Sequence, residues 1–451
     1  MTTAELSQTQ PVRKKAFGLP VDTILLVTVG GLLAFGLMMV YSSTFDWSYR
    51  QYGDPSTIFL RQIRWLALGL ALMFLTARLP YQWWRRLAVL MMVGAIGALG
   101  LVLLFGAETF NAQRSFINGS VQPSELAKLV TIIYLAVWLD SKGEKIREMG
   151  YGFVPFGVIV GVVAGLILLQ PDLSAAATVV LVATLMFFIS GADLLQMGAV
   201  TAIGAASALA VLQLSATGRQ RLTDYLLGMQ DITQASWHVQ QAAIAFVNGG
   251  VFGRGLGESH QKFGFLPTPH TDSIFAIIGE ELGLIGCLFV VVLFVTLVWR
   301  GFKIAAQAKD PLGAILAAGL TCWVGLEALV NIAVMVGAMP FAGNALPFIS
   351  YGGSSLVVTL TATGILLSIS RREATETIPR KTRHTGILRE RMLRMAQGPR
   401  GRAYKPNVKD PRQGAVEDPR QGAAATNANF DLSRRHGRGR VPRVVGRRDS
   451  H

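Results

Sequence analysis

The stretch FLPTPHTDSIFAIIGEELG, residues 265–283, places a Pro-containing turn and three carboxylates, Asp272, Glu280 and Glu281, where a long apolar run begins. That run continues to Trp299, enough to cross a bilayer as a helix, which takes about 20 apolar residues. Nine further runs can be marked: 20–43, 58–77, 86–105, 122–139, 153–169, 173–190, 193–213, 312–338 and 353–370. The expected fold is therefore an all-α polytopic membrane protein of ten transmembrane helices. The separators QPDL (170–173) and SGAD (190–193) are short, so the boundaries beside them are the least defined.

Composition agrees. Of 451 residues 51% are hydrophobic and 15% charged, which excludes an ordinary soluble domain. Cys287 and Cys322 both lie in apolar runs and read as small packing residues without a disulfide. The net charge of +15 is concentrated at the C-terminus, where residues 371–451 carry 21 Lys and Arg against 8 Asp and Glu. This Arg-, Gly- and Pro-rich segment, with DPRQGA at both 410–415 and 418–423, reads as a disordered tail drawn to anionic lipid rather than to nucleic acid. The expected organisation is a cytoplasmic segment 1–19, a membrane domain 20–371 and a basic cytoplasmic tail 372–451.

Short loops fix the orientation. RKK (13–15), Arg78, Arg85, Arg86, Lys142, Lys145, Arg147, Arg300, Lys303 and Lys309 all fall on the side of both termini, which the positive-inside bias makes cytoplasmic. The first run lacks a cleavage site and reads as a retained span. The loop 214–273, between spans seven and eight, lies on the opposite face, and a loop of that length is usually functional. Within it SWHVQQAAIAFVNGG (236–250) has helical apolar spacing and suggests a helix lying at the membrane surface.

Several residues there could carry chemistry. Gly249, Gly250, Gly253, Gly255 and Gly257 allow tight turns, and their N–H groups could meet a pyrophosphate, but no strand-to-helix unit surrounds them as a nucleotide loop requires. His238, His260 and His270 match no zinc spacing. Asp272 precedes span eight after a rigid turn; by spacing alone it reads as a helix cap for Ile274 or Phe275, or as a general base beside a low-dielectric wall. Glu280 and Glu281 lie two turns deeper, where carboxylates need cations; Lys128, Arg61, Arg64 and Arg114 are the candidates. In QPSELAK (122–128) Pro123 suits a first helical turn, and Glu125 and Lys128 share a face. Asp172 reads equally as a cap or as a functional acid. MPFAGNALPFISYGGSSL (339–356), uncharged and carrying two prolines, reads as a re-entrant turn beside a pocket.

In this order, QPSELAK, QPDL, LPxxHTDxIFAIIGEELG (266–283) and LPFISYGGSS (346–355) resemble the SEDS family, with its FtsW, RodA and SpoVE branches. The likeness covers about residues 20–371. The approach GLGESHQKFGFLP (255–267) and the basic tail lean toward the FtsW branch. The resemblance implies a peptidoglycan glycosyltransferase of the bacterial cytoplasmic membrane. It would polymerise lipid II at the outer face, in division or cell-shape growth, beside a class B penicillin-binding protein and other divisome membrane proteins. Asp272 falls on the family's essential extracellular aspartate and becomes the expected base. Expected on substrate are Arg61, Arg114, Glu125, Lys128, Glu280, Ser350, Gly352, Gly353 and Ser354. Lys128 with Glu125 leads for the leaving pyrophosphate, and Glu280 would hold one of the cations. No cofactor is required, although a bound Mg²⁺ could supply positive charge. Departures from the family pattern stand at Ser115, Thr268 and Ser273, where Trp, Glu and Phe are usual; they bear on substrate stacking rather than on the acid. Two other readings stay open: a lipid II flippase, since ten spans with buried charges also describe a translocation path, and a catalytically idle division-site scaffold.

Overall fold

Inside a bilayer each backbone N–H and C=O needs a partner within the chain, so an apolar run of spanning length becomes a helix. The computed structural model describes residues 21–371, apart from 106, 110–111 and 116–121. The expected segment 1–19 and tail 372–451 lie outside the described residues. All ten expected runs are helical: α1 (Thr23–Tyr52), α2 (Thr57–Arg78), α3 (Trp83–Phe105), α4 (Pro123–Lys142), α5 (Val154–Leu168), α6 (Leu173–Ile189), α7 (Leu194–Leu214), α10 (Ile274–Gln307), α11 (Pro311–Met335) and α12 (Gly353–Ser370). Eight are long and apolar enough to cross a membrane. Of the other two, α4 carries Glu125, Lys128, Asp140 and Lys142, and α6 has 17 residues. The chain is a multi-pass, predominantly helical membrane protein.

One end of the bundle is tied by the charges that set the orientation. Asp22 caps α1, its Oδ1 accepting from Leu25 N at 2.9 Å, and pairs with Arg300 near the end of α10. Its own N–H donates to Ser370 Oγ at 3.2 Å, at the end of α12. Arg85 pairs with Asp140 of α4, and Tyr81 OH reaches Asp310 Oδ1, before α11, at 3.1 Å. The starts and ends expected on one face thus meet on one face.

Three features depart from expectation. An antiparallel pair, β1 (Ala107–Thr109) and β2 (Ala112–Ser115), joins α3 to α4; two short strands between long apolar runs leave little signal. The loop 214–273 contains two helices, α8 (Ala216–Gly228) and α9 (Trp237–Gly249). One side of α9 packs on α10 so closely that a Cβ on Gly249 would lie 1.9 Å from Gly279 O, while Trp237, Ile244 and Val247 of the expected surface face stay exposed.

The third departure is a break in α10 at Gly283, where φ is 66° and ψ −164°. The groups freed by the break are taken up by the glycine-rich loop. Arg254 N–H and Gly255 N–H donate to Glu280 O and Glu281 O, both at 3.0 Å, while Leu284 N–H and Ile285 N–H donate to Gly250 O (3.0 Å) and Val251 O (3.3 Å). Irregular backbone within a membrane protein is tolerated when protein satisfies it, as here. The glycines are required by contact: a Cβ on Gly253 would lie 2.2 Å from Glu281 O, and one on Gly283 2.4 Å from Gly253 N. Residues 284–307 alone make a rod of ~36 Å, long enough to span.

Candidate functional site

Asp272 sits one residue before the helix N-cap, which is Ser273, so the expected cap position shifts by one. Three successive carbonyls at this point are gripped by other elements. His270 O accepts from Tyr351 N–H at 2.8 Å, Thr271 O from Ser350 Oγ at 2.6 Å, and Asp272 O from Asn331 Nδ2 at 2.8 Å. Ser350 Oγ in turn accepts from Leu346 N–H at 2.7 Å. The uncharged loop before α12 therefore cradles the acid. That loop also reaches α1, where a Cβ on Gly36 would lie 2.5 Å from Phe348 O. Gly343, with φ 62°, leaves its open side toward Asp272 Oδ2; a Cβ there would stand 3.5 Å away. The Asp272 side chain is partly exposed.

Aromatic rings complete the rim. His270 stacks on Trp47 at 4.9 Å and meets Tyr351 edge-on at 5.6 Å; burial pushes its imidazole down to about 4, so it is neutral at pH 7. Arg61, at the start of α2, lies over the Tyr52 ring at 5.2 Å and is partly exposed. Gly353 lets α12 approach Trp65 of α2, since a Cβ there would lie 2.5 Å from Trp65 Nε1. Gly352 is the N-cap of α12, and Ser354 is partly exposed in its first turn. Arg114 falls in β2, outside the residues whose side chains are described, as does Ser115.

Glu125 and Lys128 pair as their spacing suggests, Nζ to Oε1 at 2.9 Å. Lys128 also pairs with Glu327 of α11, which the sequence reading did not single out, and lies 5.5 Å over the Trp323 ring. The ammonium thus has a carboxylate on each side. Trp323, Glu327 and Asn331 are spaced by four on α11 and share one face, which leads from Lys128 to the carbonyl of Asp272. Asp172 caps α6 through Ala175 N–H (3.2 Å) and accepts from Gln122 Nε2 (3.1 Å), tying α6 to the start of α4.

Glu280 and Glu281 do not meet the cations expected of them. Fully buried Glu280 accepts from Ser259 Oγ, His260 N–H (3.2 Å), Gln261 N–H (3.1 Å) and Asn248 Nδ2 (3.3 Å), with Arg254 Nη1 at 3.8 Å. Glu281 pairs with buried Lys262 at 2.9 Å and accepts from Ser42 Oγ of α1 at 2.6 Å. Both carboxylates secure the approach loop, so the reading of Glu280 as holder of a substrate-side cation gives way to one as holder of that loop. Arg254 and Lys262 are absent from the sequence reading; the signal that could have found them is that two buried acids need two bases. Nor does the geometry make a metal cage: among the described residues no three acidic or other ligating side chains converge, and where Glu125 and Glu327 face each other Lys128 fills the gap.

Comparison with known proteins bears on the family and the fold. The profile of the FtsW/RodA/SpoVE family, described as cell cycle protein, matches residues 23–375. The chain is 39% identical over 355 residues to the "Probable peptidoglycan glycosyltransferase FtsW" of Geobacter metallireducens, covering 78% of this chain and 95% of that one. It is equally similar to the stage V sporulation protein E of Bacillus subtilis, with 97% of that protein covered. Among solved structures it is similar to the rod shape determining protein RodA of Thermus thermophilus (27% identity, TM-score 0.60, 79% of this chain and 99% of that chain). A further similarity is to a chain of a peptidoglycan synthase complex that coordinates polymerization and crosslinking (28% identity, TM-score 0.64, 78% and 98%). Motif order, helical architecture and these matches together establish that the chain belongs to the FtsW/RodA/SpoVE family of cell cycle proteins.

Proposed function

We propose that the protein is a peptidoglycan glycosyltransferase that polymerises lipid II, with Asp272 as general base. The observation that carries this reading is the cradle around Asp272: a partly exposed carboxylate at the mouth of the bundle whose main chain is fixed at three consecutive carbonyls. Such fixing suits a group that must meet a hydroxyl in one geometry. The names of the similar FtsW proteins and of the synthase complex support it.

In the reaction, the 4-hydroxyl oxygen of the acceptor N-acetylglucosamine bonds to C1 of the donor N-acetylmuramic acid with inversion. The bond from C1 to the pyrophosphate oxygen breaks, undecaprenyl pyrophosphate leaves, and the hydroxyl proton passes to Asp272. The base contributes roughly 10²- to 10⁴-fold. Lys128 stands between two carboxylates, which offset its charge, so Arg61, partly exposed beside the cradle, is the better-placed cation for the leaving group. The mouth faces the outside of the cytoplasmic membrane, both termini are cytoplasmic, and a class B penicillin-binding protein cross-links the product; the Arg-rich end opposite the mouth supports this orientation.

The test is glycan-strand formation from purified lipid II, with and without a class B partner. Wild type should polymerise, and Asp272→Ala should lose at least about 10²-fold while staying folded. Strands made by a folded Asp272→Ala protein would overturn the base assignment. No strands from wild type under any partner condition would favour lipid II transport instead.

A further inference from the structure

We infer that Asn331 is the positioning residue for Asp272, a conclusion that rests on reading Asp272 as the base. Asn331 is 2% exposed and lies on α11, far from the acid in sequence. Its Nδ2 donates to Asp272 O at 2.8 Å and also to Asn344 O, so both amide protons are used. Its Oδ1 has no partner among the described residues; the side chain contributes as a donor.

The position of the grip matters. Ser273 makes no side-chain capping bond to α10, its hydroxyl donating instead to Pro267 O at 3.3 Å, so the helix's own capping does not fix the Asp272 carbonyl. Holding the Asp272 carbonyl fixes the peptide plane between Asp272 and Ser273, and so the place of the Cα from which the Asp272 side chain departs. Tyr351 and Ser350 hold the two preceding carbonyls, and Asn331 holds the third. It is also the member of the three that stands on a long buried helix, one turn beyond Glu327 and its pair with Lys128. Asn331 thereby sets the base at a fixed height against the Lys128 cluster, about 6 Å along α11 from Glu327. A misplacement of 1 Å at a reacting group costs on the order of 10²-fold in rate.

The test uses full-length protein with its class B partner, comparing wild type, Asn331→Ala and Asn331→Asp. For Asn331→Ala, kcat should fall roughly 10²-fold with KM for lipid II and the melting temperature nearly unchanged. Asn331→Asp turns an acceptor toward two carbonyls at neutral pH; protonation restores one donor, so its rate relative to wild type should rise as pH falls. Wild-type kcat in Asn331→Ala, a loss carried by KM or by melting temperature, or an Asp-variant ratio flat with pH would each overturn the inference. Should the alanine variant not fold, Asn331→Ser, whose donor is too short to reach both carbonyls, carries the same kcat test. A second arm does not need activity: the pH dependence of carbodiimide labelling at Asp272, read by mass spectrometry with Asp272→Ala as control. A labelling profile shifted in Asn331→Ala supports the positioning role even if wild type forms no strands. An unshifted profile overturns it.

Discussion

Two adjacent glutamates in a membrane helix pose a residue-scale problem, because an ionised carboxylate without a partner is costly in an apolar interior. Glu281 resolves it with Lys262 and Ser42, and Lys262 Nζ also donates to Gly257 O at 2.7 Å and Ser42 O at 3.1 Å. Removing one partner of a buried pair typically costs about 3–5 kcal/mol, whereas replacing both by apolar groups is often neutral. Glu281→Ala should therefore melt well below wild type in detergent, and Lys262→Met with Glu281→Leu should recover most of the loss; equal melting of the single and double variants would refute the pairing argument. The need for partners was legible in sequence, but their identity was not. Lys128, Arg61, Arg64 and Arg114 are the candidates the sequence offers, while Arg254 and Lys262 sit in a polar loop whose fold back onto α10 leaves no periodic trace.

At the scale of the element, α10 is two helices joined at a glycine, with α9 and the glycine-rich loop as the counterpart. The apolar run itself was plain, yet the break was not, since a glycine in a membrane helix is unexceptional and GGVFGRGLGES is compatible with any turn. Only the pairing of the two segments gives each its meaning. A β-carbon at φ 66° and ψ −164°, a region essentially confined to glycine, costs about 1–3 kcal/mol, and at Gly283 it also strikes Gly253 N and Val251 O. Gly283→Ala should accordingly detach the 250–255 loop, seen as faster proteolysis within it at unchanged membrane insertion. Gly30→Ala on α1, where nothing lies within 4 Å of a Cβ, is the control and should leave proteolysis as in wild type. Equal cleavage of wild type and Gly283→Ala would show that the loop is held by something other than the break.

Across the whole molecule, helix placement and the gathering of basic loops at one end were readable from hydropathy and Lys/Arg counts alone. The tertiary latches at the opposite end were not, because they join residues a hundred positions apart. One is His238, stacked on Phe341 at 4.0 Å, with Arg221 5.5 Å from the same ring. Burial, and secondarily the Arg221 charge, push His238 down to about 4 from an ordinary 6.5. Between those values the unfolded chain takes up a proton that the folded one refuses, so stability from this latch is complete above 6.5 and is lost as pH falls toward 4. Melting temperature should drop on going from pH 7 to pH 5, and His238→Phe, which keeps the stack without the titration, should flatten part of that slope. A variant slope matching wild type would assign the acid sensitivity to other groups.

The three hydrogen bonds that grip residues 270–272 all end on main-chain oxygens, so these bonds do not depend on which side chains those residues carry. A scaffold of that kind separates where a group is presented from what the group is. Substitutions at position 272 can alter acidity, size or nucleophilicity while the presentation geometry is inherited unchanged, which makes the cradle a fixed socket into which different chemistries could be exchanged during divergence.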